Sequence, residues 1–309
     1  MGSRPATEED PDEAFVVGTA AASGGALPGG FGIGDDTALL DHGELVTTDT
    51  MVEGVHWDDR LSPADVGWKL VAVNVSDVGA MGGRPRWATL ALSLPSPLDR
   101  PWVEAFFAGL GEALREWGVV LVGGDTTRSP GPRVATLTVG GVALHPIRRS
   151  GARVGDELWV TGKLGRSAEA FFATNPRPAA LAWFRRPHPP VRFGAALGEA
   201  QLASAMLDVS DGLARDLGRL CRASGVAAEV DPAALPSDRP LAEAVAFGED
   251  YELLFAAAPE AAGAICSLAN MSGIPVTRIG HILEGAGPRL RGGASWPAPR
   301  FDHFPEASR

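Results

Sequence analysis

Cysteine is nearly absent: Cys221 and Cys266 are the only two in 309 residues, too few for a disulfide framework or a zinc site. Both fall in helix-like apolar segments and are expected as core thiols. Tyrosine occurs once and the aromatic share is 7%, which leaves few platforms for stacking nucleic-acid bases. A formal net charge of -11 argues further against a nucleic-acid binder, whose phosphate contacts need a basic face. Lys69 and Lys163 are the only lysines among the basic residues, so a phosphate site would rest on arginine, backbone N–H groups and metal ions. A Walker A loop ending at Gly162-Lys163 is excluded because position 157 is Glu157 where the motif requires glycine. No apolar run approaches the roughly 20 residues of a membrane helix. The acidic start, Glu8-Glu9-Asp10, runs into an Ala/Gly-rich stretch broken by Pro28 and is unlike a secretory signal. A cytoplasmic protein that meets neither membrane nor nucleic acid is expected.

What the chain has is acid, in clusters beside apolar runs. Gly32-Ile33-Gly34-Asp35-Asp36 precedes a short strand at Ala38 to Leu40, and Leu45 to Thr48 forms a second strand that runs into Asp49. Its glycines do not fit a dinucleotide fingerprint, because the last required glycine falls on an acid or on Thr37. Two carboxylates about 5 Å apart repel by roughly 3 kcal/mol at an effective dielectric near 20, so a converging set implies cations or shared protons. From Pro63 to Gly82 apolar residues recur at helical spacing on almost every side, which indicates a buried helix. It carries Asn74 and Asp77 on one face, and a buried Asp77 needs a cation. Trp87 to Leu94 reads as a strand, Arg100 to Trp117 as a helix, and Val119 to Val122 as a strand ending at Gly123-Gly124-Asp125. Val134 to Leu144 is a long strand. A composition shift near Ile147 divides the chain into domains 1–146 and 147–309, and the Pro-rich Arg185 to Pro190 reads as a surface connection.

In the second half, Leu207-Asp208-Val209-Ser210-Asp211-Gly212 stands before a helix that Ser210 or Asp211 can cap. A helix N-terminus also suits a phosphate. Gly248-Glu249-Asp250-Tyr251-Glu252 then precedes a strand at Leu253 to Ala257. An array of aspartates with few lysines suits several Mg²⁺ ions bridging nucleotide phosphates in phosphoryl transfer. There is no Ser/His/Asp arrangement, no paired histidines for zinc and no kinase-type His-Arg-Asp loop.

Taken in order, Gly-Ile-Gly-Asp-Asp, Thr-Thr-Asp-Thr-Met-Val-Glu-Gly-Val-His-Trp, Ala-Val-Asn-Val-Ser-Asp-Val-Gly-Ala-Met-Gly, Val-Gly-Gly-Asp-Thr-Thr-Arg, Asp-Val-Ser-Asp-Gly-Leu and Gly-Glu-Asp-Tyr-Glu-Leu-Leu-Phe resemble the thiamine-monophosphate kinases of the aminoimidazole ribonucleotide synthetase-like superfamily. The resemblance spans about residues 30 to 304. It implies an α/β fold of two domains: an N-terminal mixed sheet pairing across a homodimer, and a C-terminal α/β domain. The implied reaction is ATP-dependent phosphorylation of thiamine monophosphate. By motif, Asp36, Thr47, Thr48, Asp49, Asp77, Asp125, Asp208 and Asp211 resemble Mg²⁺ ligands, with Asp36, Asp49, Asp77, Asp125 and Asp211 central to catalysis. Gly124, Asp125, Arg149 and Ser210 match ATP contacts, while His56, Glu249 and Phe301 match substrate positions. Thr47 and Thr48 alternate across a strand, so one side chain at most faces the ions. Phe247 stands where the family usually has glycine, and Arg166, where an acid is common, is expected at the surface. Another ATP-dependent enzyme of the superfamily, or a catalytically silent Mg-nucleotide sensor, are the alternatives.

Overall fold

The structure, a computed structural model, describes residues 11–300. Helix α1 (Pro11–Ser23) leads into β1 (Ala38–Leu39), β2 (Glu44–Val52), α2 (Pro63–Ala80), β3 (Arg84–Leu94), α3 (Arg100–Trp117), β4 (Val120–Arg128) and β5 (Val134–Val142). The second half holds β6 (Glu157–Thr161), α4 (Arg166–Phe172), α5 (Pro178–Arg185), α6 (Val191–Glu199), β7 (Ala205–Asp208), α7 (Leu213–Ser224) and β8 (Ala227–Val230). It ends with α8 (Leu241–Ala246), β9 (Leu253–Ala257), α9 (Ala262–Ser272), β10 (Val276–Leu283) and β11 (Gly287–Leu290). Two mixed sheets result, one ordered β1-β2-β5-β3-β4 and one ordered β11-β8-β10-β6-β9-β7.

Helix α2 organises the molecule. Ser62 caps it in a reciprocal box with Asp65, and Pro63 opens its first turn, a strong N-terminal stop. Beyond that turn it is buried almost all round, as its apolar periodicity requires: Val66, Leu70, Val71, Val75 and Val78 are fully covered. With α3 it packs on the first sheet, joining Leu45, Leu90, Leu92, Leu137 and Val139 in one core. The second sheet is covered on both faces, and alternation along its strands divides the cores. Leu158 and Val160 face α7 with Leu213, Leu217 and Leu220; Trp159 and Phe255 face α6 and α9 with Phe193, Leu197 and Ile265.

Several sequence expectations are corrected. The strand expected to stop at Val122 continues through Gly123-Gly124-Asp125 to Arg128, parallel to β3. Gly124 has φ +155, and a Cβ there would lie 1.9 Å from the Leu90 carbonyl oxygen, so the glycine lets two strands close up. Asp125 is therefore mid-strand. The 185–190 connection is not a surface loop: Pro187, Pro189 and Pro190 are buried and the Pro187 carbonyl accepts from the Trp68 indole at 2.9 Å. Cys221 is buried as expected, but Cys266 is exposed, on the outer face of α9. Arg166 is not confined to the surface either: its guanidinium pairs with the buried Glu252 and lies 3.4 Å over the Trp183 ring. Among the described residues no helix is long and apolar enough to cross a membrane.

Candidate active site between the two halves

Three segments converge where α2 meets β7. Asn74 on α2 accepts from the Asp49 backbone N–H (3.1 Å) and donates to the Leu70 carbonyl (2.9 Å), which fixes β2 over the helix. One turn on, Asp77 accepts from Thr47 Oγ1 at 2.6 Å. Ser76 donates to Asp208 at 2.5 Å, tying the helix to the second sheet. Oxygen atoms of Asp36, Asp77 and Asp208 all lie within 4.8 Å of one another. Burial and then mutual repulsion, with Asp49 as a further neighbour, push Asp77 well above the usual carboxylate range; burial and Asp36 do the same for Asp208.

The groups facing this triad are mostly hydroxyls. Arg149 brings a cation to it, reaching Asp36 at 2.8 Å, while its backbone N–H donates to Asp35 at 2.9 Å. Burial pushes Asp35 up to about 6. Carboxylates so placed, with hydroxyls beside them and no lysine among them, fit hard divalent cations bound through oxygen. Thr48 points the other way, its hydroxyl donating to the Leu137 carbonyl (3.2 Å) and meeting Thr138 (3.0 Å); only its backbone can face the triad, as strand alternation requires.

The turn after β7 differs from the expected cap. Helix α7 starts at Leu213 with Gly212 in the cap position and no side-chain cap. Instead Asp216 reaches back to accept from the Asp211 N–H at 3.0 Å, and Arg219 bridges Asp211 (2.5 Å) and Asp216 (3.0 Å). The turn is tight because the 247–249 loop lies on it: a Cβ at Gly248 would sit 1.8 Å from the Ser210 carbonyl oxygen. Ser210 and Asp211 thus turn toward the cavity.

Most of these groups line a cavity of about 760 Å³, within the range of small-molecule sites. Asp36, Thr47, Thr48, Asp49, Asp77, Arg149, Asp208, Ser210 and Asp211 line it, together with His56 and Glu249. His56 Nδ1 accepts from the Val52 N–H at 3.0 Å, so in the neutral ring Nε2 carries the proton. Glu249 holds a left-handed backbone, φ +63, and meets Lys69 Nζ at 2.9 Å. Gly124 and Asp125 do not line the cavity; they lie on β4, three strand spacings or roughly 14 Å from β2. Phe301 lies outside the described residues. Sequence reasoning missed Lys69, Ser76, Asp216 and Arg219. Of these Lys69 had a signal, as the only basic residue on α2.

A cavity walled by converging acids, with a helix N-terminus beside it and two α/β halves around it, defines an enzyme that handles metal-bridged phosphates. The model for the N-terminal domain of AIR synthase related proteins matches residues 34–144, and that for the C-terminal domain matches residues 153–293. The thiamine-monophosphate kinase of Salmonella typhimurium is 40% identical over 282 residues, 82% of this chain and 85% of that protein. The structure of AaThiL complexed with AMPPCP and TMP has a TM-score of 0.80 at 30% identity, covering 92% of this chain and 94% of that one. Thiamine-monophosphate kinase from Stenotrophomonas maltophilia K279a gives 0.74 at 37% identity, covering 91% and 96%. The chain belongs to the AIR synthase related family and, within it, to the thiamine-monophosphate kinases.

Proposed function

We propose that the protein transfers the γ-phosphoryl group of ATP to the phosphate of thiamine monophosphate, giving thiamine diphosphate and ADP. The observation that carries this reading is the convergence of Asp36, Asp77 and Asp208 from both halves of the chain onto one point of the cavity wall. Asp36, Asp49, Asp77, Asp208 and Asp211, with the Thr47 hydroxyl and the Thr48 backbone, would hold Mg²⁺. Bound there, the ions supply charge cancellation on the phosphates. The rest falls to the chain. Arg149 and Ser210 orient the nucleotide phosphates, and the N-terminus of α7 favours their charge. His56 and Glu249 orient the acceptor. An acceptor phosphate is already an anionic nucleophile, so no side chain has to remove a proton; holding the two phosphates in line is the main task.

Asp125 enters this scheme through a second copy. All nine residues of β4 are exposed, Val120 and Val122 at 62% each, an edge that soluble proteins normally cover. The opposite edge of the sheet is also open, because β1 pairs with β2 only at Leu45 and Val46. A homodimer that sets β4 of one copy on β2 of the other closes both edges and carries Gly124 and Asp125 toward the partner's cavity. Division at 146/147 separates the sheet that dimerises from the sheet that bears Asp208. The cytoplasm, which holds ATP and free Mg²⁺, is the expected compartment.

Coupled measurement of ADP release with thiamine monophosphate, ATP and Mg²⁺, with identification of the product, tests the reading. Nucleotide binding without thiamine diphosphate would make the protein a sensor instead.

A further inference from the structure

One side of the cavity has no part in the chemistry above. Phe171, Phe184 and Phe247 line it, with the Phe171 and Phe247 rings 5.0 Å apart and Phe184 set edgewise to Phe171 at 6.3 Å. Phe171 keeps 43% of its surface exposed, an apolar ring facing an acid-walled space. Two cations already lie on these faces. The Arg60 guanidinium carbon is 4.3 Å from the Phe171 centroid and 5.3 Å from that of Phe184, and Lys69 Nζ is 4.2 Å from Phe184.

The two cations are held differently. Lys69 is buried and bound to Glu249, so it is a fixed part of the wall. The Arg60 side chain is 35% exposed and pairs with the more exposed Asp58 at 2.9 Å; it can swing toward solvent without losing that partner. Rings that accept one planar, delocalised cation have the chemistry to accept another. On the reading above, the acceptor brings a thiazolium ring, which is planar and positively charged, whereas the adenine of ATP is neutral.

We propose that Phe171 and Phe184, backed by Phe247, form the surface on which the thiazolium ring of the acceptor stacks, and that Arg60 covers this surface until the acceptor displaces it. The proposal rests on the kinase reading for the identity of the ring. It makes these phenylalanines determinants of acceptor affinity, separate from the groups that hold the phosphates.

The test is calorimetric titration of the full chain with thiamine in EDTA, and with AMPPCP in Mg²⁺, for the wild type, Phe171→Leu and Arg60→Met. Both side chains are partly exposed, and thermal melts confirm folding of the variants. Cation–π attraction predicts that Phe171→Leu weakens thiamine binding roughly three- to thirty-fold. Arg60→Met should tighten it, and AMPPCP affinity should hold in both. In turnover, Phe171→Leu should raise KM for thiamine monophosphate while kcat and KM for ATP stay near wild type. The wall is overturned if wild type binds no thiamine, if Phe171→Leu binds it as tightly as wild type, or if AMPPCP affinity falls instead. An Arg60→Met variant that binds thiamine no more tightly overturns the covering role. Because thiamine titration needs no turnover, a wild type that binds thiamine on this wall but makes no thiamine diphosphate defeats the kinase reading alone.

Discussion

Asp77→Asn should stabilise the metal-free protein and abolish its response to Mg-nucleotide. Asparagine keeps the volume, and its amide oxygen can still accept the Thr47 hydroxyl now donated to Asp77 at 2.6 Å. What disappears is one charge from a set whose oxygens lie within 4.8 Å of each other. Repulsion at that range is roughly 3 kcal/mol per pair at an effective dielectric of 20. The set relieves part of this by retaining protons, as the upward displacement of Asp77 and Asp208 implies. Removing one carboxylate should therefore recover about 1–3 kcal/mol. At roughly 2–4 °C per kcal/mol for a large domain, the melting temperature in EDTA rises by about 2–12 °C. Wild type should gain about 2.7 kcal/mol from a ligand at a hundred times its Kd, and the variant should lose most of that shift together with turnover. Melts of both proteins in EDTA and in Mg²⁺ with AMPPCP measure this. A variant that melts below wild type in EDTA, or that keeps the full Mg-nucleotide shift, refutes the metal-site account.

Four further outcomes follow from the same structure. Lys69→Met leaves Glu249 without its buried ammonium; about 2 kcal/mol of stability should be lost, and KM for the acceptor should rise more than KM for ATP. Asp250 is buried and pushed up to about 7, opposed by hydrogen bonds from the Gly165 and Ser167 N–H groups. Its folded value lies above the unfolded 3.8, so the folded state holds the extra proton in between and stability falls as pH rises from about 4 through about 7. Urea titrations of Asp250→Asn across that window should show a flatter dependence, and an unchanged slope would count against it. Burial pushes the Cys221 thiol up to about 12 while Cys266 is exposed, so iodoacetamide should add once to the native chain, at Cys266, and twice after denaturation. Val122→Arg on the open edge of β4 should shift the protein to monomer in size-exclusion chromatography and depress turnover; an unchanged dimer would reject the edge-pairing arrangement.

The elements with strong periodicity are legible in the sequence. Helix α3 and β9 fall on the expected residues, because apolar spacing within one element records which face is buried. The acids of the site were legible for a related reason: a carboxylate beside an apolar run has no cheap structural role. What spacing does not encode is the approach of distant backbones. Gly123-Gly124 reads as the end of a strand, yet it is the place where β4 closes on β3. Ser210 reads as a helix cap, yet the 247–249 loop pressing on Gly212 and Ser210 turns it into the cavity. Lys69 pairs with a glutamate 180 positions away in number, and the phenylalanine wall gathers residues from α4, α5 and the loop before Gly248. Such juxtapositions belong to the tertiary fold and leave no mark in local sequence.

The seam between Ser76 and Asp208 has a practical side. Asp36 and Asp77 sit on one half of the chain and Asp208 on the other, so neither half owns a complete ion site. Cut in the 147–156 segment, the protein should yield two pieces whose affinity for each other is set by free Mg²⁺ and nucleotide, the ions acting as a removable rivet. A split version would report divalent-metal concentration through reassembly.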